Sequence, residues 1–229
     1  GGKNAIIVDD DADLDEAVLG VGDSAFGYQG QKCSACSRAI VHDAVYDRFV
    51  EKLVPKVEAI PVGHPSDPAK SFGPMIDGAA KRKTIEYVEI GKREGRLLIG
   101  GTEGLTSGYY VLPTVFEGVA PDARLAQEEI FGPVLAILRC RDFEHGLEIA
   151  NNTEYGLTGS VFTNDPRHKE EAARRFHVGN FYINRKCTGA LVGAHPFGGF
   201  NMSGTDSKAG GPDYLLQFLQ AKTISEKIR

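Results

Sequence analysis

Val134-Leu135-Ala136-Ile137-Leu138, then Asp142 to Ala150, then Gly159-Ser160-Val161-Phe162, then Asp165-Pro166 opening a run to Phe176, then Phe181-Tyr182-Ile183: this stretch decides the fold. Its three short apolar runs suit buried strands, and the two longer segments between them suit helices. Asp165 reads as a helix cap, with Pro166 at the first helical position, where a missing N–H costs no hydrogen bond. Strand and helix therefore alternate, and that order predicts an α/β chain with a mostly parallel sheet flanked by helices. In such sheets sites are expected at the carboxyl ends of the strands.

The alternation extends toward the amino end. Ala5-Ile6-Ile7-Val8 reads as a strand, and Asp13 with Glu16 has the capping-box spacing that opens a helix through Phe26. Ala39-Ile40-Val41 leads into a helix whose apolar face is Val45, Phe49, Leu53 and Val57, with a kink predicted at Pro55. A further helix starts near Asp77, and Leu97-Leu98-Ile99 follows as a strand ended by Gly100-Gly101. Pro61 to Gly78 reads as a long loop, because no composition shift marks a linker. Gly179 to Gly211 is a second irregular, glycine-dense stretch. The tail from Leu215 to Ile228 carries Phe218, Leu219, Thr223 and Ile224, and is expected to form a strand that pairs with another subunit.

The 229 residues include 26 Lys or Arg and 31 Asp or Glu, a net charge of −5 that argues against a general nucleic-acid footprint. No apolar run reaches the roughly 18 residues of a membrane span, and none follows a basic start as in a signal peptide. Four cysteines, Cys33, Cys36, Cys140 and Cys187, are too few for a disulfide scaffold and fit a reducing, cytoplasmic setting. Glycine, with 28 residues, is in excess without a repeat, so it marks turns and close backbone approaches.

Several motifs fail on their spacing. Asp9, Asp11 and Asp13 begin like a calcium loop, but Leu14 stands where glycine is needed and Gly20 where glutamate is needed, leaving a solvated, helix-capping cluster. Gly20-Val21-Gly22-Asp23-Ser24-Ala25 falls inside a predicted helix, which rules out a dinucleotide turn. Gly199 to Gly204 has P-loop glycine spacing, but Thr205 stands where lysine must be. The six histidines show no metal spacing and read as solvated, and no metal site is expected.

Cys33-Ser34-Ala35-Cys36 leaves three readings: a zinc pair, a redox pair, or a single nucleophile. The glycine-rich approach from Gly27 and Gly30 and the adjacent Lys32 raise Cys33 above ordinary core cysteines, and a helix start there would favour its thiolate. Glu128-Glu129-Ile130-Phe131-Gly132-Pro133 and Pro196-Phe197-Gly198-Gly199-Phe200 are further polar and aromatic turns, each weak alone.

Together these pieces resemble one family. Gly30-Gln31-Lys32-Cys33 with Arg38 is similar to the nucleophile motif of the NAD(P)-dependent aldehyde dehydrogenases. Glu129 to Pro133, Asn152 through Gly156-Leu157, Asn184, and Pro196 to Gly204 follow in that family's order. Lys32 to Arg38, Asn184 to Gly193 and Thr205 to Gly210 resemble its bacterial 1-pyrroline-5-carboxylate dehydrogenase branch, which oxidises glutamate γ-semialdehyde to glutamate in proline catabolism.

The resemblance implies Cys33 as nucleophile, its backbone N–H helping to hold the oxyanion, Glu129 on the nicotinamide ribose and Phe131 beside the nicotinamide. It implies that Ser34, Gly189 and Ala190 hold the distal carboxylate of a small aldehyde and that Phe197 lines its methylenes. NAD is the expected cofactor, with NADP left open. Gly1-Gly2-Lys3 resembles the end of the family's Glu-Leu-Gly-Gly-Lys motif. The Glu that activates water, the oxyanion-hole Asn and the nucleotide-binding domain are then expected to lie outside this chain. Residues 1–214 would be the catalytic domain and 215–229 a C-terminal oligomerisation strand making a homo-oligomer. Alone, the chain is expected to turn over little or no NAD.

Overall fold

The computed structural model describes residues 1–191, 193–204 and 209–228. The expected features at Val192, at Thr205 to Lys208 and at Arg229 lie outside the described residues.

Strand β1 (Asn4–Val8) enters helix α1 (Leu14–Phe26), then β2 (Cys36–His42) and α2 (Tyr46–Glu58). Asp13 caps α1 by accepting from the N–H groups of Asp15 and Glu16. Pro55 lies inside α2, which runs on to Glu58. Helix α3 (Gly78–Glu94), capped by Asp77, precedes β3 (Arg96–Ile99) and β4 (Thr114–Glu117). The short α4 (Arg124–Gln127) is followed by β5 (Val134–Cys140), α5 (Phe143–Asn151), β6 (Tyr155–Gly156), β7 (Thr158–Phe162), α6 (Pro166–Arg175), β8 (Asn180–Ile183) and β9 (Phe200–Asn201).

Seven strands form one sheet in the order β3-β4-β5-β2-β1-β7-β8, and β6 pairs with β9 separately. Every neighbour pair in the large sheet is parallel except β3 with β4. Strand β4 escapes sequence reading because Thr114-Val115-Phe116-Glu117 is too short to show a period.

Successive side chains of a strand alternate between faces, and both faces of this sheet are covered. Ala5 and Ile7 join Val88 of α3 and Phe143 and Leu147 of α5 on one side. Ile6 and Val8 join Val18 and Val21 of α1 and Phe49 and Leu53 of α2 on the other. Two-sided burial explains why these strands read as unbroken apolar runs.

The expectation of solvated acidic and histidine side chains changes at one point. Asp9, expected to be solvated, is only 1% exposed: it accepts from Thr163 Oγ1 at 2.9 Å and lies 2.6 Å from His168 Nδ1. His168 itself stacks on Phe143 and is not a solvated histidine. The carboxylate that follows β1 must be paired once it is buried, and Thr163 after β7 and His168 in α6 supply the partners. In the tail, residues Pro212–Phe218 wind as a 3-10 helix, and residues 219–228 join no sheet of this chain among the described residues. Leu215, Phe218 and Ile224 are exposed there. No helix among the described residues is long and apolar enough to cross a membrane.

Candidate active site

Cys33 is half-buried, unpaired in any disulfide, and sits in a turn three residues before β2. Gly1 and Gly2 precede β1, Glu129 and Phe131 precede β5, and Thr158 opens β7. The candidate residues therefore gather at the amino ends of the parallel strands, contrary to the expected carboxyl ends. The strand-end rule belongs to sheets whose ligand sits where the chain leaves a strand for a helix. Here the turns that enter the strands carry the polar groups. The turn at Cys33 leads into a strand, so no helix begins at the thiol.

Glycine makes the approach possible. Gly30 has φ 67°, and a Cβ there would collide with the carbonyl oxygen of Gly132, so the turn before Cys33 packs directly on the Glu129–Pro133 turn. A Cβ on Gly2 would lie 2.7 Å from the Cys33 carbonyl oxygen. The Gly2 N–H donates to Glu129 Oε1 at 2.8 Å. Backbone entering β1 thus touches both the Cys33 turn and the candidate ribose-binding carboxylate.

Asn4, which sequence reading passed over, donates from Nδ2 to the carbonyls of Cys33 and Ala35, both at 2.8 Å, and accepts from Thr158 N–H at 3.0 Å. The Ser34 carbonyl between them accepts from Thr158 Oγ1 and Cys187 Sγ, each at 3.4 Å. Arg38 is 1% exposed and donates to the carbonyls of Lys3, Ile149 and Ala150 at 2.8 to 3.0 Å. Burial lowers its pKa to about 10. Lys3 is also buried, its Nζ has no hydrogen-bond partner, and burial, with the Arg38 charge beside it, lowers its pKa to about 7. Only a single polar residue in an apolar run marks Asn4 in the sequence, and that signal is slight.

Ser34, Gly189, Ala190 and Phe197 line one cavity of about 530 Å³, together with Lys32, Thr188 and His195. Gly189 has φ 94°, a backbone that can turn N–H groups into a concave nest. Lys32 lines this cavity, a placement its position beside Cys33 did not reveal. Phe131 lies apart from it: its ring is exposed, its φ is 60°, and it lines a neighbouring cavity of about 690 Å³ with Tyr28, Gln29 and Met75. Glu129 and Phe131 present a carboxylate and an exposed ring from one turn, a hydrogen-bond acceptor and a packing surface that fit a nicotinamide riboside.

Cys36, Cys140 and Cys187 are buried, and none belongs to a metal cluster among the described residues. Burial pushes the Cys140 thiol up to about 12 and the Cys36 thiol well above its ordinary range. The acidic triplet at Asp9 to Asp11 lies beyond the opposite end of β1.

The chain is 59% identical over 226 residues to a 1-pyrroline-5-carboxylate dehydrogenase of Bacillus subtilis, and 58% identical to one of Halalkalibacterium halodurans. In each case the match covers 99% of this chain and 44% of the relative, so the chain spans less than half the length of these proteins. A crystal structure of 1-pyrroline-5-carboxylate dehydrogenase from Thermus with bound NAD superposes with a TM-score of 0.96 at 51% identity, over 100% of this chain and 44% of that one. The aldehyde dehydrogenase family pattern matches residues 1–224. With nearly the whole chain matched and the same fold found in the Thermus enzyme, the protein belongs to the aldehyde dehydrogenase family.

Proposed function

We propose that this chain is the catalytic portion of an NAD-dependent 1-pyrroline-5-carboxylate dehydrogenase that oxidises glutamate γ-semialdehyde to glutamate. The observation that carries this reading is the single cavity shared by Ser34, Gly189, Ala190 and Phe197 beside the Cys33 turn. A backbone nest, a serine hydroxyl and Lys32 suit a carboxylate, and the Phe197 ring suits the methylenes between it and the aldehyde.

In this reading the Cys33 thiolate attacks the aldehyde carbon. A C–S bond forms, the carbonyl electron pair moves to oxygen, and the Cys33 backbone N–H stabilises the oxyanion. NAD, when bound, supplies the hydride acceptor. Glu129 would hold the ribose hydroxyls and Phe131 would pack beside the nicotinamide. After the hydride leaves, the acyl group rests on Cys33 as a thioester, and water releases the acid and the thiol. The relatives' family relationship supports NAD, the fold and the order of these residues. Homo-oligomerisation through the apolar tail, where Leu215, Leu216, Phe218 and Ile224 are exposed, and a cytoplasmic setting belong to the same proposal.

The test uses an enzyme that contains this chain together with a nucleotide-binding portion. Its kcat/KM for glutamate γ-semialdehyde is expected to exceed that for an uncharged aldehyde of equal length by about 100-fold or more, since unpaired polar groups in the cavity penalise the analogue. Equal values would overturn the substrate assignment.

A further inference from the structure

Three successive carbonyls of the nucleophile turn are held from behind by side chains. Asn4 takes those of Cys33 and Ala35, and Thr158 and Cys187 take that of Ser34. A planar trans peptide points its N–H opposite to its C=O, and the chain has no cis bond. Fixing the Cys33 carbonyl on Asn4 therefore aims the Ser34 N–H the other way. The Lys32 carbonyl is likewise fixed, by the Ala35 N–H at 3.1 Å, which aims the Cys33 N–H away from that bond. Neither the Cys33 nor the Ser34 N–H has a partner among the described residues.

We propose that Asn4 is a positioning residue for Cys33, holding the peptide planes of the turn so that the N–H groups of Cys33 and Ser34 are presented together as donors at the reacting centre. The placement of Asn4 makes this possible. It is 3% exposed, and its Oδ1 is anchored on the Thr158 N–H at the start of β7, so the amide cannot turn away. The β1–β2 register shifts between Asn4 and Ala5, which pair with Cys36 and Arg38 in turn and leave Ser37 as the extra residue. Such a bulge re-aims the side chains around it. Asn4 thereby joins three parallel strands' amino ends to one turn. Donors fixed before the reaction need no rearrangement when the thiolate or the oxyanion forms.

This inference rests on Cys33 as nucleophile, and its test separates the two. Asn4→Asp keeps the shape and the Thr158 bond but replaces the donor, and Asn4→Ser shortens the side chain without adding charge. The rate of Cys33 alkylation by iodoacetamide is followed against pH by peptide mass spectrometry, with far-UV circular dichroism to establish the fold. The midpoint is expected to rise by about one pH unit in Asn4→Ser and further in Asn4→Asp, because donors to a thiolate lower its pKa. A residue that merely stabilised the fold would lower the melting temperature and leave the midpoint in place, which would overturn the proposal.

Amide hydrogen exchange on the unaltered chain gives a second reading that needs no variant. The Cys33 and Ser34 amides are expected to exchange at least about tenfold faster than that of Ala35. Protection of Ser34 equal to that of Ala35 would equally overturn it. If Cys33 proves no more reactive than the buried thiols, the nucleophile assignment fails, while the exchange pattern still decides the clamp.

Discussion

The N–H of Gly2 donates to Oε1 of Glu129 at 2.8 Å, tying the backbone that enters β1 to the carboxylate that precedes β5. Gly2 also leaves no room for a side chain: a Cβ would lie 2.6 Å from Asn4 Oδ1 and 2.7 Å from the Cys33 carbonyl. Gly2→Ala is expected to cost about 1–3 kcal/mol through overpacking against backbone that cannot yield. Urea denaturation reads this directly, and an unchanged midpoint would contradict the close approach.

Glu129 has one oxygen committed to Gly2, and its carboxylate chemistry suits ribose hydroxyls. In an enzyme with a nucleotide-binding portion, Glu129→Ala is expected to weaken NAD binding by about tenfold or more, since hydrogen bonds to a charged acceptor contribute about 1.5–3 kcal/mol. Glu129→Gln should lose less. Isothermal titration with NAD measures both, and equal affinity in all three proteins would remove Glu129 from the cofactor site.

Thiol reactivity should be sharply uneven. Cys140 is pushed up to about 12 by burial, Cys36 well above its ordinary range for the same reason, and Cys187 is fully buried. Cys33 alone is half-exposed among the four. Brief iodoacetamide treatment at neutral pH is expected to label Cys33 at least about tenfold faster than the others. Faster labelling of Cys36 or Cys187 would displace Cys33 as nucleophile.

Lys3 gives the stability a pH dependence of definite sign. Its folded pKa is lowered from 10.5 to about 7 by burial and by Arg38. Between those values the unfolded chain binds more protons than the folded one, so stability rises with pH across that window. Below about 7 both states are charged, and the buried ammonium is a full cost. Lys3→Met should therefore stabilise the protein by about 1–3 kcal/mol at pH 6, and the gain should fade toward pH 10. Melting of both proteins from pH 6 to pH 10 tests this, and a gain that grows with pH would refute it.

Substrate discrimination should reside in the cavity. Ser34→Ala removes a hydroxyl from the wall that also holds Gly189 and Ala190. KM for glutamate γ-semialdehyde is expected to rise by about tenfold, with little change for an uncharged aldehyde, because one lost hydrogen bond to a carboxylate is worth about that much. A parallel rise for both substrates would show that Ser34 does not contact the carboxylate.

The sequence carried most of the scaffold because two-sided burial writes strands as apolar runs, and capping writes helix starts at Asp13, Asp77 and Asp165. It did not carry β4, whose four residues show no period, or the antiparallel turn of β3 against it. Ser34, Gly189, Ala190 and Phe197 were legible only as family positions. That they share one cavity is a tertiary fact, since up to 163 positions of chain separate them. The clamp by Asn4 was illegible for a related reason. Its partners are main-chain carbonyls, which every residue possesses and no sequence pattern marks. Asp9 and His168 read as solvated in the sequence because a buried carboxylate paired by a distant segment looks, in sequence, like an acidic surface.

The bond from His168 to Asp9 lies at the carboxyl end of β1, and the candidate chemistry lies at its amino end, five residues away along one strand. The sheet thus divides labour along its own axis. One rim fastens, through Asp9, Thr163 and His168, while the other rim holds the candidate site. Changes confined to the turns around Cys33 leave the pairing of Asp9 with Thr163 and His168 at the far rim untouched.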